Sequence, residues 1–123
     1  MDGSFPPDVL HPACPSRQVL HHLTSRWGAL VLVALSGKTM RFSALRRALG
    51  NVSERMLAQT LQGLEADGMV LRVAHDVVPP HVDYSLTPIG AEASGLVRQL
   101  AGWIETRLPE ILAHREAASH KSR

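Results

Sequence analysis

The sequence predicts a mainly α fold that carries one small β-hairpin, and three features lead there. Apolar residues recur at helical spacing through the first half of the chain and again from Ile89 to Trp103. Between Val70 and Leu86 the period drops to two, as in strands. Glycine or proline punctuates the junctions, at Gly37, Gly50, Gly68 and Pro88. With 123 residues, 45% apolar and 20% charged, the chain has globular composition and length for one core without metal or disulfide support.

Residues 1–14, with Pro6, Pro7 and Pro12, read as an extended arm. Pro15 opens a helix, because its missing N–H costs nothing in a first turn. Val19, Leu20, Leu23 and Trp27 mark an amphipathic helix from Ser16 to about Arg26. Gly28 is expected to break it, with Ala29–Leu35 following as a buried helix that Gly37 stops. Thr39-Met40-Arg41 is either an extended link or a small strand. Ser43 is the expected N-cap of a third helix, with Leu45 and Leu49 inward and Arg46 and Arg47 outward. Gly50-Asn51 ends that helix, since both residues tolerate the left-handed conformation.

Ser53 caps a fourth helix, and Glu54 sits in its first turn where the dipole favours an acid. Leu57, Leu61 and Leu64 form its apolar stripe and Gly68 its end. Two short helices about such a turn make a helix-turn-helix. Val70–Val77 and Val82–Leu86 then alternate as two strands, joined by a stiff tip at Val78-Pro79-Pro80-His81. Thr87-Pro88 caps and opens the last long helix. Along it Ile89, Leu96 and Trp103 interleave with Ala93 and Leu100 at seven-residue spacing, a seam able to dock another helix. Pro109 is expected to interrupt it. The expected layout is an arm at 1–14, a winged helix-turn-helix domain with dimerisation helices at 15–108, and a short helix with a frayed tail at 109–123.

A single cysteine, Cys14, excludes an internal disulfide and suits a reducing compartment. Met1–Asp8 lacks the basic and apolar segments of a secretory signal. The apolar run Ala29–Leu35 is far shorter than the roughly 20 residues that span a bilayer. The expectation is a cytoplasmic protein with no membrane partner.

The net charge is only +2, but Lys38, Arg41, Arg46, Arg47 and Arg55 cluster against Glu54 alone. Such a patch is either a solvated helix face or an electrostatic footprint for nucleic acid. A helix-turn-helix followed by a hairpin suits duplex DNA. The second helix, about 53–67, fits the major groove, and the wing, about 70–86, lies on the backbone or minor groove. Opposite the leucine stripe stand Arg55, Gln59 and Gln62, flanked by Met56, Gly63 and Ala58. Arg reads guanine and Gln reads adenine through paired hydrogen bonds. The expected DNA-binding residues are Ser43, Arg46, Arg47 and Ser53 on phosphates, Arg55, Met56, Gln59 and Gln62 at the bases, and His81 on the wing. The competing class is a winged-helix module that binds only proteins.

Several segments resemble HxlR-type winged helix-turn-helix regulators: Cys14-Pro15, Trp27, Arg41–Leu49, Ser53–Leu57, Leu64–Val70, Val78-Pro79-Pro80 and Asp83–Gly90. The resemblance covers about Cys14 to Trp103. It implies a homodimeric transcription regulator on a roughly palindromic operator, and some proteins of this resemblance sense oxidants, quinones or aldehydes through a cysteine at the position of Cys14. Gln62 and His81 depart from the pattern, standing where such proteins commonly carry a basic residue. Thr24-Ser25-Arg26 lacks the paired glycines often found there.

Cys14 is also a candidate sensor on physical grounds, since N–H groups at a helix N-terminus favour a thiolate and Arg17 lies one turn away. The alternative is a small packed apolar residue. His11, Cys14, His21 and His22 are close in sequence, but Pro12 and Pro15 interrupt any ligand spacing. No catalytic constellation stands out, and no metal or cofactor is expected. Trp27, Leu100 and Trp103 belong to core packing, to the dimer seam, or to the walls of a small-ligand cavity.

Overall fold

The computed structural model describes residues 6–50 and 52–121. It contains α1 (Pro15–Thr24), α2 (Arg26–Ala34), β1 (Met40–Arg41), α3 (Phe42–Ala48), α4 (Glu54–Ala66), β2 (Val70–His75), β3 (His81–Leu86) and α5 (Pro88–Lys121). The expected mainly α fold with a hairpin wing is present, with one more strand than the hairpin alone.

The first break falls at Ser25, not at Gly28. Ser25 is extended and caps α2, its hydroxyl oxygen accepting from the Gly28 N–H at 3.2 Å. Gly28 lies inside α2, where a Cβ would stand 2.0 Å from the His22 carbonyl oxygen. Glycine is needed there for the close crossing of α1 and α2, rather than as a breaker.

Ser43 is likewise not a cap. Arg41 occupies the cap position with no side-chain bond, and α3 starts at Phe42. Pairing of Arg41 with Asp83 in the sheet holds it extended, so the helix begins as soon as the strand releases the chain. Gly50 follows α3 at φ +71°, while Asn51 lies outside the described residues. Ser53 does cap α4, its Oγ accepting from the Met56 N–H at 3.0 Å.

The sheet is antiparallel in the order β1-β3-β2. Thr39-Met40-Arg41 thus contributes a short strand, with Met40 opposite Tyr84. β2 and β3 pair from Val70 opposite Leu86 to His75 opposite His81. Period-two alternation turns buried Val70 and Tyr84 toward the helices and puts Val73, His75, His81 and Asp83 on the other face. The core joins Val31, Leu35, Leu45, Leu49, Val52, Leu57, Leu61, Leu64, Val70 and Tyr84.

Thr87 caps α5 by accepting from the Gly90 N–H at 3.0 Å. The buried Ser94 Oγ donates to the Leu32 carbonyl at 2.6 Å, tying α5 to α2. Pro109 does not interrupt the helix, which runs unbroken to Lys121 with the proline inside. A proline costs one backbone bond and crowds the preceding turn, yet its fixed φ remains helical, and Leu, Glu, Arg and Ala on both sides favour helix. At 34 residues the helix is about 50 Å long, and from Trp103 onward nearly all of it is exposed.

Candidate nucleic-acid interface

The buried leucines of α4 set its rotation. Leu57, Leu61 and Leu64 lie in the core, so the helix presents Arg55, Met56, Gln59 and Gln62 to solvent. Glu54 in the first turn and the Ser53 cap fix the start of that helix beside α3. Ser43 and Arg47 on α3 and Ser53 before α4 are also exposed. Phe42, Ser43, Arg46, Arg47 and Glu54 line a shallow depression of about 170 Å³ where the two helices meet. Eight of the nine residues expected at DNA therefore sit on α3, α4 or the turn between them.

Arg46 differs from expectation in not pointing freely outward. Its Nε donates to the Val52 carbonyl at 2.7 Å, stapling α3 to the turn before the Ser53 cap. Its Nη1 lies 3.8 Å from the Glu54 carboxylate. Arg47 has no side-chain partner among the described residues and is the freer cation. Gly63 does not face solvent beside Gln62 as a bare backbone site. The His22 ring packs over it, 3.5 Å from where a Cβ would be, and His22 Nδ1 is bonded to the Asp67 carboxylate at 2.6 Å. This places α1 against the C-terminal end of α4.

His81 is not at the wing tip. It is the first residue of β3 and half-buried, its ring stacked on His75 at 4.6 Å and its Nε2 4.0 Å from Asp83. The tip is Asp76–Pro80, with Val78 99% exposed and the Val78–Pro79 peptide cis. It carries no cation. Arg72 is the basic residue that sequence reasoning left unassigned. It is exposed on β2, directly opposite Tyr84, and with Ala58, Leu61, Gln62 and Glu65 lines a groove between α4 and the wing. Its place in the alternation with Val70 was the available signal, since both share the helix-facing side of the sheet.

Cys14 is the N-cap residue of α1 and partly exposed. Its Sγ is 2.9 Å from the Ser16 hydroxyl and accepts from the Asp8 N–H at 3.4 Å. The Ser16 hydroxyl first, then the Asp8 and Ser16 N–H groups, lower its pKa below the ordinary thiol value. Arg17 does not take part; its guanidinium donates to the Leu10 carbonyl at 3.3 Å. Trp27 packs against the core, whereas Leu96, Leu100, Trp103, Ile104, Leu108 and Leu112 leave an exposed apolar stripe on α5.

A helix-turn-helix followed by a three-stranded wing defines the winged-helix class, here with a final helix of 34 residues. Residues 22–111 match the HxlR-like helix-turn-helix family, and the chain belongs to that family of transcriptional regulators. It is 63% identical over 103 residues to the uncharacterized HTH-type transcriptional regulator YtfH of Escherichia coli strain K12, covering 84% of this chain and 82% of that one. Among solved structures it is similar to a transcriptional regulator YtfH from Salmonella typhimurium, with TM-score 0.86 and 58% identity over 90% of this chain and 99% of the other. The redox regulator HypR in its reduced form aligns with TM-score 0.73 and 31% identity, over 80% of this chain and 98% of that one. Among the described residues no helix is long and apolar enough to cross a membrane.

Proposed function

We propose that the protein is a homodimeric regulator that binds double-stranded operator DNA of roughly palindromic sequence. In this reading α4 enters the major groove, with Arg55, Gln59 and Gln62 at base edges and Met56 in apolar contact beside them. Ser43, Arg46, Arg47 and Ser53 hold phosphates, and Arg72 takes the backbone contact that neither Gln62 nor His81 is built to make. The observation that carries the reading is the exposed Arg55–Met56–Gln59–Gln62 face, held opposite three fully packed leucines and beside two arginines of α3. Base-reading side chains on one face and cations at the preceding turn are what major-groove docking requires.

Dimerisation is supported by the α5 stripe, where Leu96 is 67% and Trp103 58% exposed. Apolar side chains of that size, left exposed among the described residues, call for a second copy. Two recognition helices would then lie about 34–36 Å apart. Cys14 is proposed as the point where an oxidant or electrophile acts. Its lowered pKa and partial exposure favour a reactive thiolate, and the similar protein HypR is a redox regulator with both oxidized and reduced structures. With one cysteine per chain, any disulfide would join two subunits or a small thiol. An electrophoretic shift with the DNA flanking the protein's own gene tests the DNA reading. Specific retardation competed by the same duplex is expected. Equal binding to scrambled duplex would overturn it.

A further inference from the structure

We propose that the outer face of the β2–β3 hairpin binds a divalent transition-metal ion of the zinc class through His75, His81 and Asp83. The strand register brings the three together. His75 and His81 are the directly opposed pair nearest the tip, and Asp83, two residues further along β3, shares their face. His75 Nε2 lies 2.9 Å and His81 Nε2 4.0 Å from the same Asp83 oxygen. The three ligand atoms all fall within 4.8 Å of one another. Donors on a metal with bonds of about 2.0–2.2 Å stand roughly 3–4 Å apart, so the spacing already suits a chelate, and ring rotations that unstack His75 from His81 would turn both lone pairs to one ion.

The donor chemistry selects the ion. Two imidazoles and one carboxylate suit zinc, nickel, copper or ferrous iron, whereas calcium and magnesium prefer all-oxygen sets. The support is rigid as well. β3 is the central strand; Asp83 is held by two ladders, opposite Arg41 and Val73, and His81 by its pairing with His75. All three residues are half-buried, which excludes some water while leaving coordination positions open. The fold has no evident need for the cluster, because the core lies on the opposite, Tyr84 side of the sheet. The nearest cation across the sheet is Arg41, opposite Asp83 and exposed, and it makes no ion pair there among the described residues. The histidines near Cys14 do not compete as an assembled site. His22 is committed to Asp67, and His11 Nδ1 accepts from the Ala13 N–H.

An ion at this point would clamp both strands beside the tip and convert an acidic wing into a positive one. That consequence rests on the DNA reading above; the binding of metal does not. The test is calorimetric titration of the untagged full chain with Zn²⁺ alone, without DNA, repeated with Co²⁺ and followed by absorption. One ion per chain is expected, with a cobalt spectrum free of thiolate charge transfer. His75→Gln, His81→Gln and Asp83→Asn should each weaken binding at least about tenfold, while Cys14→Ser and His11→Gln leave it unchanged. Because His75→Gln also removes the 2.9 Å contact with Asp83 within the wing, imidazole ¹⁵N spectra of the wild type give a second reading, in which Zn²⁺ shifts the ring nitrogens of His75 and His81 alone. Absence of saturable binding, wild-type affinity in the three wing variants, loss in Cys14→Ser, or shifts at other histidines would each overturn the assignment.

Discussion

Replacing Arg46 separates a structural role from an electrostatic one, because this arginine does two things at the turn. Its Nε bond to the Val52 carbonyl spans the gap between α3 and the cap of α4 at 2.7 Å. A hydrogen bond from a charged donor contributes about 1.5–3 kcal/mol when shielded from water. The Arg46 side chain is 42% exposed, so solvent screening brings the expected loss in Arg46→Ala to about 1 kcal/mol. Unfolding entropy of about 2 cal/mol/K per residue converts this, over 123 residues, into a melting temperature lower by about 4 °C. Arg47→Ala removes only an exposed charge and should melt as the wild type does. In DNA binding the order converges. Each variant should weaken binding to every duplex and reduce the slope of log affinity against log salt by about 0.9, as expected for one phosphate contact. The assays are thermal melting followed by circular dichroism without DNA, and fluorescence anisotropy with a labelled duplex over a salt series. If Arg46→Ala melts within about 1 °C of wild type, the Val52 bond does not hold the turn and the stapling argument fails. If the salt slope stays fixed in Arg47→Ala, the phosphate assignment fails instead.

Arg55→Ala should cost about 1–3 kcal/mol of operator affinity and relax preference at one base pair; unchanged discrimination in a binding-site selection would show that α4 docks at a different rotation. Trp103→Glu should convert the dimer to monomer in light scattering at micromolar protein, since a charge in the α5 stripe opposes burial; an intact dimer would place the interface elsewhere. For Cys14, alkylation by iodoacetamide should reach its plateau at lower pH than a free thiol of pKa about 8.5. The sign follows from hydrogen bonds that favour the thiolate. Ser16→Ala, which removes the largest of them, should move the profile upward, and an unmoved profile would refute that cause. Gly28→Ala forces a Cβ against the His22 carbonyl and should destabilise by about 1–3 kcal/mol; a wild-type melt would mean that α1 and α2 can part without cost.

The sequence by itself determined the elements that rest on local chemistry. The Ser53 and Thr87 caps, the leucine stripe of α4, and the alternation of the wing all act within a few residues, so their signatures lie in the chain order. The exposed Arg55–Met56–Gln59–Gln62 face of α4 followed from that stripe, because burying one side of a helix dictates the other. What only the tertiary structure decided depends on partners distant in sequence. The α1–α2 break moved to Ser25 because Gly28 is required where two helices cross. α3 began before its serine because Arg41 pairs with Asp83, more than forty residues away. Arg46 became a staple through a carbonyl across the turn, and Gly63 a seat for His22. Pro109 stayed within α5 because one lost backbone bond is outweighed by helix on both sides. His81 left the tip and met His75 only through cross-strand register, whereas Asp83, two residues along β3, shares its face by the strand's own alternation. Such register is set by pairing over the whole hairpin, and no local run of residues encodes it.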